Sequence, residues 1–131
     1  MTAEWETIGY SITYDLGGGT NAESNPSSYT IEDAITFAAP SRTGYTFVGW
    51  FDAETDGKKI ESLVAGSTGN VTLYARWTAI TYTVTFNANG GTGDTSPIEV
   101  TFGASYGELP IPTREGYTFA GWYLGDALVT K

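Results

Sequence analysis

Histidine and cysteine are both absent from the 131 residues. A chain without either cannot build most transition-metal sites, a Ser-His or Cys-His nucleophile, or a thiol redox centre. It forms no disulfide either, so composition leaves the compartment open. Positive charge is scarce: 6 Lys and Arg face 15 Asp and Glu, a net charge of −9. Such a field repels phosphate backbones and anionic headgroups, so no nucleic acid and no acidic membrane surface is expected as a partner. Long apolar runs are missing too, since none approaches the roughly 18 residues of a membrane span. Met1-Thr2-Ala3-Glu4 lacks the basic-then-apolar order of a signal peptide. The expectation is a soluble piece cut from a longer protein, with no membrane insertion.

Turn formers and aromatics are plentiful instead. Seventeen Gly, five Pro, four Trp, nine Tyr and six Phe suit tight turns and pleated surfaces, which reads as β. The rarest of these residues exposes a repeat: Trp5 and Trp77, like Trp50 and Trp122, are 72 residues apart. At that offset the stretch Pro40 to Phe51 lies over Pro112 to Tyr123 with eight identities in twelve. Tyr10 to Thr20 likewise overlays Tyr82 to Thr92, and Ala3-Glu4-Trp5 overlays Ala75-Arg76-Trp77. Residues 21–39 and 93–111 keep equal length but diverge in content, the pattern of a variable connection between framework strands carried in constant register. Residues 1–6 then read as the tail of a preceding repeat, 7–79 as a complete module, and 80–131 as a second module that stops before any counterpart of Asn70 to Trp77.

Within a module, Tyr10, Ile12, Tyr14 and Leu16 alternate with polar residues, the period of a strand with one apolar face. Gly17-Gly18-Gly19 and Asn89-Gly90-Gly91 supply the left-handed residues of the turn that ends it. Val71, Leu73, Ala75 and Trp77 alternate with Thr72, Tyr74 and Arg76 to give a closing strand. Tyr45 to Phe51 is apolar on both faces, as a central strand should be, with Gly49 marking a bulge that turns Trp50 inward. Thr30-Ile31-Glu32-Asp33 has capping-box spacing and predicts one helical turn. The stretch from Val100 to Gly107 reads as a strand and turn. The first core is expected from Tyr10, Ile12, Tyr14, Tyr45, Phe47, Trp50, Leu73 and Trp77, with Tyr117, Phe119 and Trp122 in the second.

Laid out in order, Tyr-x-[Ile/Val]-Thr-[Tyr/Phe], a Gly-Gly-Thr turn, Pro-x-Arg-x-Gly-Tyr-Thr-Phe-x-Gly-Trp and Val-Thr-Leu-Tyr-Ala-x-Trp resemble the Listeria–Bacteroides repeat, the internalin B-repeat type. Gly44 to Trp50 and Gly116 to Trp122 are the most specific part of the match. The resemblance implies a mainly β protein: tandem small β-grasp-like (ubiquitin-like) modules with little helix, repeated along bacterial surface-anchored or secreted proteins. It implies a spacer or adhesive role at the cell surface or cell wall, with no catalytic residues to carry over.

Other chemical readings can be set beside this one. Asp52-Ala53-Glu54-Thr55-Asp56-Gly57 has the front half of a calcium loop, but Leu63 stands where the bidentate Glu belongs, which favours a charged hairpin tip. The glycine runs lack a following Gly-Lys-[Ser/Thr], which favours turns over a phosphate cradle. Glu32 and Asp33 are paired as in a glycosidase but have no counterparts in the second module. Exposed aromatics could stack on sugars, and Tyr29, Phe51, Tyr74 and Tyr106 are the natural candidates for such a face. The expectation is therefore a non-catalytic structural and adhesive repeat without cofactor or metal, with a lectin-like module as the alternative. Its partners would be neighbouring repeats and a host protein or glycan. A second module short of a closing strand should also self-associate weakly, with Ala3-Glu4-Trp5 of a neighbour supplying part of that strand.

Overall fold

The computed structural model describes residues 1–130, so Lys131, the last residue of the expected second module, lies outside the described residues. The chain divides into two compact units, Met1–Ala79 and Ile80–Lys131. In the first, β1 (Tyr10–Asp15), β2 (Ser28–Tyr29), β3 (Ile35–Thr36), β4 (Tyr45–Phe51), β5 (Ser62–Leu63) and β6 (Val71–Ala79) follow one another with no helix among the described residues. Four of these strands form one sheet in the order β2-β1-β6-β4. Its central pair, β1 and β6, runs parallel with Ile12 opposite Val71 and Tyr14 opposite Leu73, whereas β2 and β4 flank that pair antiparallel. β3 and β5 make a separate two-stranded ladder.

The alternation in β1 does what its pattern predicts: Ile12 is buried, Tyr10 and Tyr14 are half-buried, and the residues between them are exposed. On β4 the register shifts between Phe47, opposite Trp77, and Gly49, opposite Arg76. This bulge turns Trp50 inward, where it is 2% exposed. Gly49 has φ 159°, and a Cβ there would lie 2.6 Å from the Lys59 stem that crosses it.

Ile12, Tyr29, Trp50 and Leu73 form the buried core, with Tyr10, Tyr14, Phe37 and Phe47 among those packed against it. Tyr14 and Phe47 meet Trp50 edge-on, at centroid distances of 5.2 and 5.4 Å. Polar tips of these rings find acceptors. Trp50 Nε1 donates to the Ala38 carbonyl (3.1 Å), the Tyr29 hydroxyl to Gly69 (2.6 Å) and the Tyr14 hydroxyl to Pro26 (2.6 Å). Burial pushes the Tyr14 phenol up to about 12.

Five expectations change. β4, expected to be a central strand, lies at the edge of the sheet, and Trp77, expected in the core, is half-buried outside it. Tyr29 belongs to the core because β2 places it opposite Tyr10, where the two rings lie 5.5 Å apart. Tyr45 packs beneath the Arg42 guanidinium (3.7 Å) instead of joining the core. Finally, Thr30 to Asp33 makes a turn and not a helix. Asp33 Oδ2 accepts from the Thr30 amide (2.8 Å), as a capping box would, but the chain becomes extended at Ile35 to pair with Leu63.

The second unit contains β7 (Thr81–Val84), β8 (Ile98–Thr101), β9 (Tyr123–Leu124) and β10 (Ala127–Leu128), paired as β7 with β8 and β9 with β10. Several contacts repeat at the 72-residue offset. Trp122 Nε1 donates to the Pro110 carbonyl (2.7 Å) as Trp50 does to Ala38, and Thr92 bridges Thr113 as Thr20 bridges Ser41. The register is not constant, however. Tyr82 pairs with Val100, one residue short of the Thr101 that the offset assigns to Tyr29. The hairpin after the tryptophan is also three residues tighter, since the Trp122 carbonyl accepts from Val129 whereas that of Trp50 accepts from Ile60. Tyr117 and Phe119, expected in a core, are 66% and 40% exposed. Nothing among the described residues of this unit takes the place that β6 holds in the first, so these rings lack a covering strand.

Candidate recognition surfaces

Each side chain singled out for chemistry has a definable place. The Asp52 to Gly57 stretch is a hairpin tip closed by Asp52 Oδ1, which accepts from the Lys58 amide at 2.6 Å. Asp56 and Gly57 take left-handed φ values of 54° and 71° to make the turn. Arg76, reaching over from β6, lies 3.7 Å above the Phe51 ring and donates to the carbonyls of Ala53 and Asp56. Backbone oxygens of the kind that would ligate calcium are thus already paired with a guanidinium. Asp33 is similarly committed, to Thr30, so Glu32 and Asp33 do not form a free acid pair. Among the described residues no group of three or more acidic side chains converges on one point, and no helix is long and apolar enough to cross a membrane.

Two surface features emerge that residue patterns alone did not single out. One occurs twice: Arg42 stacks on Tyr45 and Arg114 on Tyr117, at 3.7 and 4.1 Å. Each guanidinium also lies beside a left-handed glycine of the preceding turn, Gly18 or Gly90. The signal was present in the repeated Arg-x-Gly-Tyr spacing, because the Tyr45 and Tyr117 amides donate back to the Arg42 and Arg114 carbonyls in a turn that sets the two side chains together. Asp94 closes another turn, its carboxyl held below the usual range chiefly by the Ser96 hydroxyl and then by the Ser96 amide.

The other feature is a groove of about 350 Å³ in the second unit, running past Asn87, Ala88 and Gly91 on one wall and Phe119, Gly121 and Trp122 on the other. A separate space of about 210 Å³ lies beside Val84 and Phe86 and shares Asn87, Trp122 and Tyr123 with the groove. In the first unit the corresponding gap between β1 and β4 is filled by β6. There the Trp77 ring seals one end, donating from Nε1 to the Leu16 carbonyl (2.9 Å) and lying where a Cβ on Gly19 would be 2.5 Å away. In the first unit, residues 1–9 form no strand, and Trp5 and Ile8 are 91% and 67% exposed.

The Listeria-Bacteroides repeat domain model matches residues 10–76 and again residues 82–131. A protein of Evansella cellulosilytica that bears the provisional name of a membrane protein is 33% identical over 133 residues, covering 100% of this chain and 19% of that protein. Internalin H of Listeria monocytogenes is 34% identical over 118 residues, covering 89% of this chain and 20% of that protein. The chain therefore spans about a fifth of the length of these relatives. No solved structure matches. Each matched stretch holds one copy of the Gly-Tyr-Thr-Phe-x-Gly-Trp framework, and the chain belongs to the Listeria-Bacteroides repeat domain family.

Proposed function

We propose that this chain is a non-catalytic structural and adhesive element of a bacterial cell-envelope protein, displayed outside the cell. Its repeats act as spacers whose variable segments meet a host protein or another surface. The observation that carries this reading is a framework built twice with the same contacts while residues 21–39 and 93–111 differ. That division of labour suits a module selected for stacking in series. The relatives named as a membrane protein and as an internalin, each far longer than this chain, support the envelope location. A parallel central pair with an antiparallel strand on either side supports the β-grasp-like reading, with no helix among the described residues.

A lectin-like role is the second reading, favoured by the exposure of Trp5, Tyr117 and Tyr123 at 91%, 66% and 56%. A glycan array probed with the intact chain separates the two. The adhesive-spacer reading expects no saturable sugar binding, whereas saturable binding lost in Tyr117→Ala or Tyr123→Ala would replace it with the lectin.

A further inference from the structure

Five asparagines stand in the chain, and four of them are held away from a reaction that asparagine undergoes with its own backbone. In that reaction the amide nitrogen of the next residue attacks the side-chain carbonyl carbon. It needs a small next residue, a nitrogen free of other bonds and a carboxamide that nothing holds. Asn25 precedes Pro26, which has no amide proton, and its carboxamide bonds Asn21 and Ala38. Asn21 accepts from Asn25 (2.8 Å), Asn70 from the Ser11 amide (2.9 Å) ahead of the β-branched Val71, and Asn87 from the Asn89 amide (2.9 Å). Asn89 meets every condition. Its carboxamide and the Gly90 amide have no hydrogen-bond partner among the described residues, both residues are exposed, and Gly90 has no Cβ to screen its nitrogen.

Access belongs to the turn and not to the groove beside it. In the first unit, where β6 is in place, Gly17 and Gly18 occupy the same two positions and are exposed too, and a Cβ on Gly17 would lie 3.4 Å from Trp77, an ordinary contact. The backbone is also alike, left-handed at Asn89 (φ 47°) and Gly90 (89°) as at Gly17 (54°) and Gly18 (94°). We propose that Asn89 is a site of spontaneous deamidation, a modification open to the second repeat and closed to the first, which has Gly17 there. The Gly90 nitrogen gives its proton to solvent base and bonds Asn89 Cγ; the Cγ–Nδ2 bond breaks, and ammonia leaves with a proton from water. Water then opens the cyclic imide at either carbonyl, leaving aspartate or isoaspartate with no change of oxidation state. Each product adds one negative charge to the −9 of the chain, beside the Arg114 guanidinium that packs against Gly90. Aspartate keeps the turn, since it tolerates left-handed φ. Isoaspartate lengthens the main chain by one methylene between Ala88 and Gly91, whose 2.9 Å hydrogen bond closes the turn. This inference does not rest on the adhesive reading.

Incubation of the intact chain at mildly alkaline pH, followed by peptide mapping and an ammonia assay, tests this. The expected result is conversion at Asn89 alone, with one ammonia released per site, a mixture of aspartate and isoaspartate, and a rate that rises in proportion to hydroxide. Asn89→Gly, which installs the residue of the first unit, should abolish the charge gain and leave the turn intact. In the isoaspartyl fraction amide exchange at Gly91 should quicken, whereas Asn89→Asp should leave it slow. An Asn89 that stays intact under conditions that convert a synthetic peptide of residues 85–92 would overturn the proposal. So would equal conversion of the other four asparagines, or a product free of isoaspartate, which rules out the imide. Unchanged Gly91 exchange in the isoaspartyl form would overturn the effect assigned to the turn.

Discussion

Trp50 and Trp122 stand in nearly the same twelve residues and make the same hydrogen bond to a carbonyl twelve positions earlier, yet only the first is buried. Tyr45 and Phe47 are likewise half-covered while Tyr117 and Phe119 are exposed. Pro112 is the one buried residue among those described in the second unit, as Pro40 is buried in the first. The contrast teaches that the Gly-Tyr-Thr-Phe-x-Gly-Trp motif encodes a local shape, made of the arginine turn, the bulge and the indole contact, but not a core. A core requires the strand between β1 and β4, which contributes Leu73 at its centre and hydrogen bonds along both edges.

Substituting the two tryptophans in parallel is the strongest way to break this comparison. Trp50→Ala should cost the first unit about 3–5 kcal/mol, the usual penalty for emptying a core aromatic. Trp122→Ala should cost the second only about 1–2 kcal/mol, because less area leaves water there to begin with. Urea titration followed through the amide resonances of each unit would measure both; equal losses would mean that the second unit hides a core as well built as the first.

Arg76 sharpens the contrast at a smaller scale. The tighter Tyr123–Leu128 hairpin has no guanidinium over it among the described residues, whereas Arg76 clamps the longer one through Phe51, Ala53 and Asp56. Arg76→Ala should therefore lower the stability of the first unit by about 1–2 kcal/mol and speed exchange at residues 52–58. Arg76→Lys should recover only part, lacking the planar fork. Unchanged exchange in that loop would show that the clamp is ornamental.

The smallest effect is a pH dependence confined to one unit. Tyr14 has Phe86 as its counterpart, so only the first unit titrates at this position. Because burial raises the folded-state phenol from 10.0 to about 12, the fold favours its neutral form. That stabilisation is complete below pH 10 and is lost as pH rises through 12. Tyr14→Phe should flatten the alkaline slope of the first unit while lowering its plateau by about 0.5–1.5 kcal/mol for the lost bond to Pro26. An unchanged slope would place the alkaline sensitivity elsewhere.

Much of this architecture was legible because it depends on short-range constraints. Alternation located β1 and β6, an unbroken apolar run located β4 but not its place at the sheet edge, and the tryptophan spacing located the repeat. The turn at Gly17 was readable because its left-handed φ of 54° recurs at Asn89, a residue type that tolerates it, with 47°. Longer-range choices were not legible. Tyr29 looked like a surface ring until pairing with Tyr10 carried it inside, and capping-box chemistry at Thr30 was overridden by the ladder between Ile35 and Leu63. The one-residue shift between Tyr29 and Val100 was invisible because compensating changes on either side of β8 leave the total length at 72. The groove past Ala88 and Trp122 was not legible either, because its two walls come from stretches some thirty residues apart in sequence.

The parallel pairing of β1 with β6 has a mechanical consequence. The first strand of the unit and its last lie side by side and point the same way, so tension on the two ends pulls them in opposite directions along their shared axis. The hydrogen bonds from Ile12 to Asp15 are then loaded together in shear instead of being unzipped one at a time. A tether made of such units would resist stretching most strongly along the direction in which the chain itself runs, and would hold its length until the whole seam gave way at once.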